Sequence, residues 1–501
     1  MMQQDPATIL IALDVGATGI KTVSAELTEN GLCVRNIHSE PSVPRVIDGH
    51  EYVDVPLMID CLEKAVREEA GECSSLSVGI DTYGNGYGAL DEHDQLLHLP
   101  WYYRDRRTDD ILKTVNSCYS DSEMYRMTGN FPIRTRGLFI LLQDVLDQDP
   151  VITEGRTLLP LPNLIEFLLT GKKGAEETIA SVLYLTEKNG TEWNYEAIRR
   201  FGIPERLFLP LEESGRELGY INRGLSDDLI EKKIRLFNVI GHDTESALIT
   251  IPDLDENSAF LCTGTSFIVG TRRKTPLVTD ETYKSRFKNM RGAFGWYSLC
   301  KDFPGFWLQE RILEEWNKEK GSSKPAFSYD EFNRLAAEGP EQHMFLDPGD
   351  DVFRVSESSI SETIREFCIR TGQNPPKTKA ETAISLYESY CCYVRRNIEE
   401  LERINGRPVE RLYVLNGGVR NPMLLQMMAD AIGKPVEATS RYASAFGNLL
   451  MQYYVLRNCS SAEDLRIPAE SLYKTVTYQC CEERNKYWET QYEQYLQLGF
   501  L

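Results

Sequence analysis

The residues of this chain that could do chemistry sit in short turns. Asp14-x-Gly16-x-Thr18-x-x-Lys21 brings together a carboxylate, glycines, a hydroxyl and an ammonium. Glycine lets a backbone approach a phosphate, and successive N–H groups in such a turn can form an anion nest. A carboxylate beside the nest could hold water on Mg²⁺. Read alone, the same residues are also an ordinary Gly-containing turn. Thr263-Gly264-Thr265-Ser266 offers the same chemistry in the second half of the chain, and two such turns would suit a polyphosphate. Gly417-Gly418-x-x-Asn421 could let a flat base or sugar lie on the backbone, or be a tight turn that needs positive φ. In Gly241-His242-Asp243-Thr244, Asp243 is either a helix N-cap or a general base that takes the proton of an attacking hydroxyl during phosphoryl transfer. Tyr102-Tyr103-Arg104-Asp105 is a surface loop with local ion pairs, or the aromatic and hydrogen-bonding lining that a sugar site needs.

These turns need elements to hold them. An apolar run at 9–13 reads as a strand, alternation over 21–27 as a second, and Asn30-Gly31 as a hairpin turn. Leu57, Cys61, Leu62, Ala65 and Val66 share one face of a helix. A buried strand at 76–80 ends on Asp81, and another at 234–240 runs into Gly241. The opening pattern recurs in outline at 260–270. A long amphipathic helix over 380–404 stops at Asn405-Gly406, a strand at 412–415 runs into Asn416-Gly417-Gly418, and a helix over 421–432 stops at Gly433. The chain therefore reads as a duplicated α/β unit with Gly-rich turns at strand ends, where α/β sheets bind ligands. Gly84-x-Gly86-x-Gly88 is not the dinucleotide fingerprint and leads into strand rather than helix, which argues against a dehydrogenase. The tail, 473–501, reads as a docked helix.

Composition narrows the class. The chain has 501 residues, 76 acidic and 55 basic, for a net charge of −21 and a sequence pI of about 4.9. Such a surface repels phosphate backbones and anionic lipid, so nucleic-acid and membrane-surface partners are not expected. A hydrophobic share of 42% is too high for disorder. The twelve cysteines are scattered, with no CxxC pair to hold zinc. A polar start without an apolar leader and the lack of a long apolar run point to a cytoplasmic protein.

The motifs in their order resemble the FGGY carbohydrate kinases, a branch of the actin/hexokinase superfamily, and most of all the rhamnulokinase group within them. The residues that carry the likeness are Leu13-Asp14-Val15-Gly16, Gly79-Ile80-Asp81-Thr82, Tyr103-Arg104-Asp105-x-Arg107-Thr108, His242-Asp243-Thr244-x-Ser246-Ala247, Gly264-Thr265, Gly305-x-Trp307-Leu308, Gly417-Gly418-x-x-Asn421 and Gly447-Asn448. The resemblance implies an α/β fold of two ribonuclease-H-like domains with an interdomain active-site cleft. Residues 1–247 would bind sugar and carry the first phosphate turn and the catalytic aspartate; residues 248–501 would bind nucleotide. It implies ATP and Mg²⁺, a small-molecule sugar and a monomer or homodimer. Asp243 would be catalytic. Asp14, Gly16, Ala17, Thr18, Gly19, Lys21, Gly264, Thr265, Glu310, Gly417, Gly418 and Asn421 would serve ATP, with Asp14 on the metal through water. Asp81, Gly84, Arg104, His242, Thr244 and Asp302 would serve the sugar, L-rhamnulose or a related ketose. The alternatives are another ketose such as xylulose or fuculose, and a non-catalytic sugar- or nucleotide-binding sensor. The chain departs from the group's pattern at Tyr83, at Asn85-Gly86-Tyr87, at Asp302 in place of an asparagine and at Glu310 in place of a glutamine. Several of these changes fall on the sugar side and leave the sugar open.

Overall fold

The computed structural model of the chain describes residues 7–71, 73–320, 327–340, 344–354 and 359–500. The strands that matter here are β1 (Thr8–Val15), β2 (Gly19–Thr28), β3 (Gly31–Pro41), β4 (Ser75–Thr82), β5 (Arg216–Tyr220), β6 (Arg235–Asn238), β7 (Ser258–Thr263), β8 (Ser266–Arg273), β9 (Tyr297–Pro304), β10 (Arg411–Asn416), β11 (Val436–Ala438) and β12 (Val476–Tyr478). The helices are α1 (Val55–Glu69), α2 (Leu161–Thr170), α3 (Asp243–Leu248), α4 (Phe306–Lys320), α5 (Lys379–Asn405), α6 (Pro422–Ile432), α7 (Ala443–Leu456) and α8 (Glu482–Gln497).

The chain forms two compact units. The first takes residues 1–253, 272–299 and 442–474; the second takes 254–271, 300–441 and 475–501. The units are thus not two consecutive halves: two segments from beyond residue 247 pack with the first.

The first sheet has the order β3-β2-β1-β4-β6-β5. β1, β2 and β3 are antiparallel neighbours, β1, β4 and β6 run parallel, and β5 returns antiparallel. β1 is buried along nearly its whole length, which explains its unbroken apolar run: a central parallel strand is covered on both faces. α1 supplies Met58, Leu62 and Val66 to the core that includes Ile9, Ile11 and Leu13. Its entry is fixed by Asp54, whose side chain accepts from the Leu57 N–H. The opposite face, with Leu10, Ala12 and Val23, shares a core with Ala445, Leu449 and Leu450 of α7. α7 comes so close to β4 that a Cβ on Gly79 would lie 2.3 Å from Asn448 Oδ1.

The second sheet repeats the plan. It includes the order β9-β8-β7-β10-β11-β12, with β7 and β8 antiparallel, β7, β10 and β11 parallel, and β12 antiparallel. α5 buries Leu386, Tyr390, Val394, Ile398 and Leu401 at helical spacing and ends at Gly406, φ 65°. α6 ends likewise at Gly433, φ 66°. The tail forms α8, docked through Trp488, Tyr492 and Tyr495. Among the described residues no helix is long and apolar enough to cross a membrane.

Candidate functional site

Sheet register gathers the first cluster. Parallel pairing of β1 with β4 sets Asp14 beside Asp81, and the β1–β2 hairpin sets Lys21 opposite Asp14. In-register neighbours share a face of a sheet and lie one strand spacing apart, about 5 Å. Lys21 Nζ donates to Asp14 Oδ2 at 2.9 Å. The charge of Asp14 raises the Lys21 pKa against the opposing effect of burial, so the ammonium is held. The turn between the strands closes through Gly16 N–H to the Gly19 carbonyl at 2.9 Å. A Cβ on Gly16 would lie 3.1 Å from that same oxygen, so the tight closure favours glycine. Ala17 is half-buried and Thr18 is exposed at its tip.

Asp81 is completely buried. Its Oδ1 accepts from Asn448 Nδ2 at 2.7 Å, while Oδ2 has no hydrogen-bond partner among the described residues. Burial, reinforced by the charge of Asp14, pushes its pKa well above the usual carboxylate range. Asn448 is itself fixed: Gln452 Nε2 donates to Asn448 Oδ1 at 2.8 Å and to the Ile11 carbonyl at 2.9 Å, and Ser77 Oγ donates to Gln452 Oε1 at 2.7 Å.

Asp243 joins this group from α3. It is not the N-cap that local sequence suggests. His242 holds the cap position with extended dihedrals, and Asp243 is the first helical residue. Its Oδ1 accepts from the N–H of Thr244 at 2.6 Å and from the Thr244 hydroxyl at 3.2 Å. Its side chain is one-quarter exposed, so it meets solvent as Asp81 does not. Burial first, and the charge of Asp14 second, push its pKa up to about 7. A carboxylate with that affinity can hold a proton for part of a reaction cycle at neutral pH.

His242 stays neutral. Burial, with the charges of Arg136 and Lys288 behind it, lowers its pKa to about 3. Its Nδ1 is buried without a hydrogen-bond partner among the described residues. Beside it a Cβ on Gly84 would lie 2.5 Å from Val182 Cγ2 and 3.1 Å from the imidazole Cδ2, so only glycine fits there. Arg136 donates to Asn85 Oδ1 at 2.7 Å and lies 5.3 Å from the centre of the Tyr184 ring. The Tyr184 hydroxyl is buried without a partner among the described residues. Neutral imidazole, amide, guanidinium, phenol and a bare glycine backbone together offer donors, acceptors and flat faces. Nearby, Tyr83 packs on Tyr103 at 5.2 Å, and the guanidinium of Arg104 lies 5.2 Å from the Tyr103 ring. Asp105 holds that loop by accepting from the Glu51 and Arg107 N–H groups at 2.7 and 2.9 Å.

The second unit builds its own turn. Register sets Thr263, at the end of β7, beside Asn416 of β10. The Thr263 hydroxyl donates to the Leu415 carbonyl and accepts from Gly418 N–H at 2.7 Å. A Cβ on Gly418 would sit 2.7 Å from that hydroxyl oxygen, and Asn416 takes φ 67° to enter the turn. The carbonyls of Gly264 and Thr265 accept from the N–H groups of Phe306 and Gly305, each at 3.0 Å, which staples the turn to the start of α4. Gly417 is near Thr263 and Phe306, with a built Cβ 3.7 and 3.9 Å from their atoms. Asn421 caps α6 through Leu424 N–H at 3.1 Å and donates to Asn333 and Tyr387, both at 3.0 Å. Glu310, on α4, accepts from the Tyr329 hydroxyl at 2.9 Å. Asp302, on β9, lies in this second unit, where Arg354 reaches its carbonyl at 2.7 Å and its Oδ2 at 3.4 Å.

Thus Asp14, Lys21, Asp81 and Asp243 cluster in the first unit with His242, Thr244 and Gly84 around them. Gly264, Thr265, Gly417 and Gly418 cluster in the second. Asp302 belongs to the second unit. Arg136, Tyr184 and Gln452 were not singled out by sequence. Asn448 and Gln452 leave a trace, two amide side chains four apart on a largely apolar helix. Tyr184, at φ 66°, leaves none.

Two units on this plan, each with a Gly/Thr turn at a strand end and one with a partly exposed aspartate opening a helix, define a two-domain sugar kinase. The chain belongs to the FGGY family of carbohydrate kinases: the family's N-terminal domain matches residues 9–250 and its C-terminal domain residues 259–456. It is 30% identical over 456 residues to a rhamnulokinase of Bacteroides thetaiotaomicron, a match covering 91% of this chain and 92% of the relative. It is 29% identical over 463 residues to a rhamnulokinase of Bacillus subtilis, covering 91% and 92%. Among solved structures it resembles a gluconate kinase from Lactobacillus acidophilus, with TM-score 0.79, 14% identity and 98% and 97% of the two chains covered. A xylulose kinase from the same organism gives TM-score 0.78 at 14% identity with the same coverage. At that identity the solved structures speak for the fold alone.

Proposed function

We propose that this kinase transfers the γ-phosphoryl group of ATP to a hydroxyl of a ketose of the rhamnulose type, L-rhamnulose or a close relative. The observation that carries the reading is Asp243: a partly exposed carboxylate of near-neutral proton affinity, fixed by Thr244 at the start of α3 and facing the field of Asp14 and Lys21. The choice of sugar rests on the rhamnulokinases that match nearly the whole chain. In the reaction Asp243 takes the proton of the sugar hydroxyl as its oxygen bonds to the γ-phosphorus. The bond from that phosphorus to the β–γ bridging oxygen breaks, and ADP leaves.

The N-terminal domain, assigned to 1–247, binds sugar. Gly84 gives it a bare backbone, while His242, Thr244, Arg104 and Asp81 supply polar groups. Ala17 to Lys21 meet the phosphates with backbone N–H groups and the Lys21 ammonium. The C-terminal domain, 248–501, binds nucleotide: Gly264 and Thr265 serve phosphate, Gly417 and Gly418 the adenosine, with Asn421 and Glu310 supporting them. Among the described residues no group of three acidic side chains could hold a cation directly, but Asp14 and the orphaned Asp81 Oδ2 are hard oxygen acceptors that suit water on a divalent ion. Asp14 would hold Mg²⁺ through water. The bound ion supplies charge neutralisation on the phosphates.

An ADP-release assay across L-rhamnulose, L-fuculose, xylulose and glycerol tests the reading. Turnover that prefers L-rhamnulose and falls by at least about a thousandfold in Asp243→Asn is expected. Preference for another ketose corrects the sugar alone. Tight sugar or ATP binding without ADP release from any of them replaces the kinase by a sensor.

A further inference from the structure

Two side chains more than sixty residues upstream grip the backbone that leads into Asp243. Glu176 precedes the helical turn Glu177–Ser181 and is completely buried. Its Oε2 accepts from Thr178 Oγ1 at 2.6 Å, from Ile179 N–H at 3.0 Å and from Gly241 N–H at 3.2 Å. The Thr178 hydroxyl, having donated its proton to Glu176, accepts from His242 N–H at 3.3 Å. One carboxylate–hydroxyl pair therefore binds the two successive amides before Asp243. From the other side Thr82 N–H donates to the Gly241 carbonyl at 2.9 Å, which ties the same stretch to the end of β4 beside Asp81.

Capping explains only part of this. An N-cap carboxylate needs its own helix's amide, here Ile179. Neither the reach to Gly241 nor the Thr178 bond to His242 serves that short helix. The fit is also close: a Cβ on Gly241 would lie 2.9 Å from Glu176 Oε2 and 3.1 Å from Pro162 Cγ. The amides have no room to shift without losing bonds in a dry setting, where an unmet N–H costs about 1–3 kcal/mol.

We infer that Glu176 and Thr178 are positioning residues for phosphoryl transfer: through the amides of Gly241 and His242 they set where the Asp243 carboxylate and the His242 ring stand. This rests on Asp243 being the proton acceptor. Misplacing a reacting group by an ångström costs about a hundredfold in rate.

The test compares Thr178→Val, which keeps the shape and removes the hydroxyl, with Thr178→Ser, which keeps the hydroxyl. Thr178→Val is expected to lower kcat by about 10- to 100-fold with KM for ATP within about 2-fold, and Thr178→Ser to recover kcat to within about 3-fold. Because the grip acts through Asp243, Thr178→Val added to Asp243→Asn should cost less than about 2-fold more. Unchanged kcat in Thr178→Val while Asp243→Asn is inactive overturns the inference. So does a full, independent loss in the double variant. Near-normal turnover in Asp243→Asn overturns the reading of the base instead, and the two failures are told apart. Should Thr178→Val lack a cooperative melt, Glu176→Gln decides: a folded variant with unchanged kcat rejects the role, and a loss of about tenfold or more with KM for ATP unmoved supports it.

Discussion

Asp243 shows how position sets chemistry at the scale of a residue. Its neighbour His242 is buried into neutrality, while Asp243 keeps a quarter of its side chain in solvent and a pKa of about 7. A base must be deprotonated to act, so kcat/KM for the sugar should fall about tenfold per pH unit below about 7 and level off above it. A flat profile across pH 5–8 would remove Asp243 from that role. The same shift bears on stability. An aspartate in the unfolded chain titrates near 3.9. With the folded value raised, the native state binds the proton more tightly, so this group's contribution is greatest below about 4 and is lost as pH rises through about 7. At pH 8 the ionised carboxylate is therefore a liability, and Asp243→Asn should raise Tm by a few degrees while abolishing turnover. A lower Tm at pH 8 would contradict the electrostatic account. At this scale the sequence was only partly legible. Asp243 stands out by motif, yet its type alone does not separate a cap from a base. The partners that raise its pKa, Asp14 above all, arrive through tertiary packing.

At the scale of elements, what counts is how closely they approach. Strand and helix types were readable: β1 with its apolar run at 9–13, the Asn30-Gly31 hairpin, and α5 and α6 with their glycine stops all follow from local pattern. What pattern could not supply was pairing. Ser77 meets Gln452 across 375 residues and Asn448 meets Asp81 across 367, and a single sequence holds no record of such contacts. Gly79 is the seat of that approach. Gly79→Ala drives a methyl into Asn448, Val239 and Gln452, and overpacking of this kind costs about 1–3 kcal/mol. A Tm fall of several degrees in the first unit is expected; an unchanged melt would mean that α7 can back away. In the second unit Gly418→Ala puts its Cβ against the Thr263 hydroxyl and breaks the bond between them. KM for ATP should rise by about tenfold or more, with KM for the sugar within about 2-fold. An effect on sugar alone would refute nucleotide binding at this turn.

For the whole molecule, the charge of −21 means that anionic phosphate gains nothing from the overall field and must be held by local groups, the role proposed above for Lys21 and the turn amides. The order of elements along the chain also misleads about what folds with what. A reading along the sequence divides the chain at 247/248, whereas the first compact unit borrows 272–299 and 442–474 from beyond that point. The reason is apolar surface. α7 buries Phe446, Leu449, Leu450 and Met451 in the same core as Leu10, Ala12, Phe237 and Val239. At about 1.5–3 kcal/mol for each large side chain, those four contribute roughly 6–12 kcal/mol. That is of the order of an entire domain's stability, about 5–15 kcal/mol. A fragment ending at residue 253 would keep β1, β4 and β6 but leave one face of their sheet bare. It should lack a cooperative thermal melt, bind a hydrophobic dye and aggregate, while the full chain melts cooperatively. Adding residues 442–474 in trans as a peptide should restore part of that melt, because α7 carries most of the missing cover. A fragment that melts cooperatively by itself would show that the sheet closes without α7, and that Asn448 is dispensable for holding Asp81.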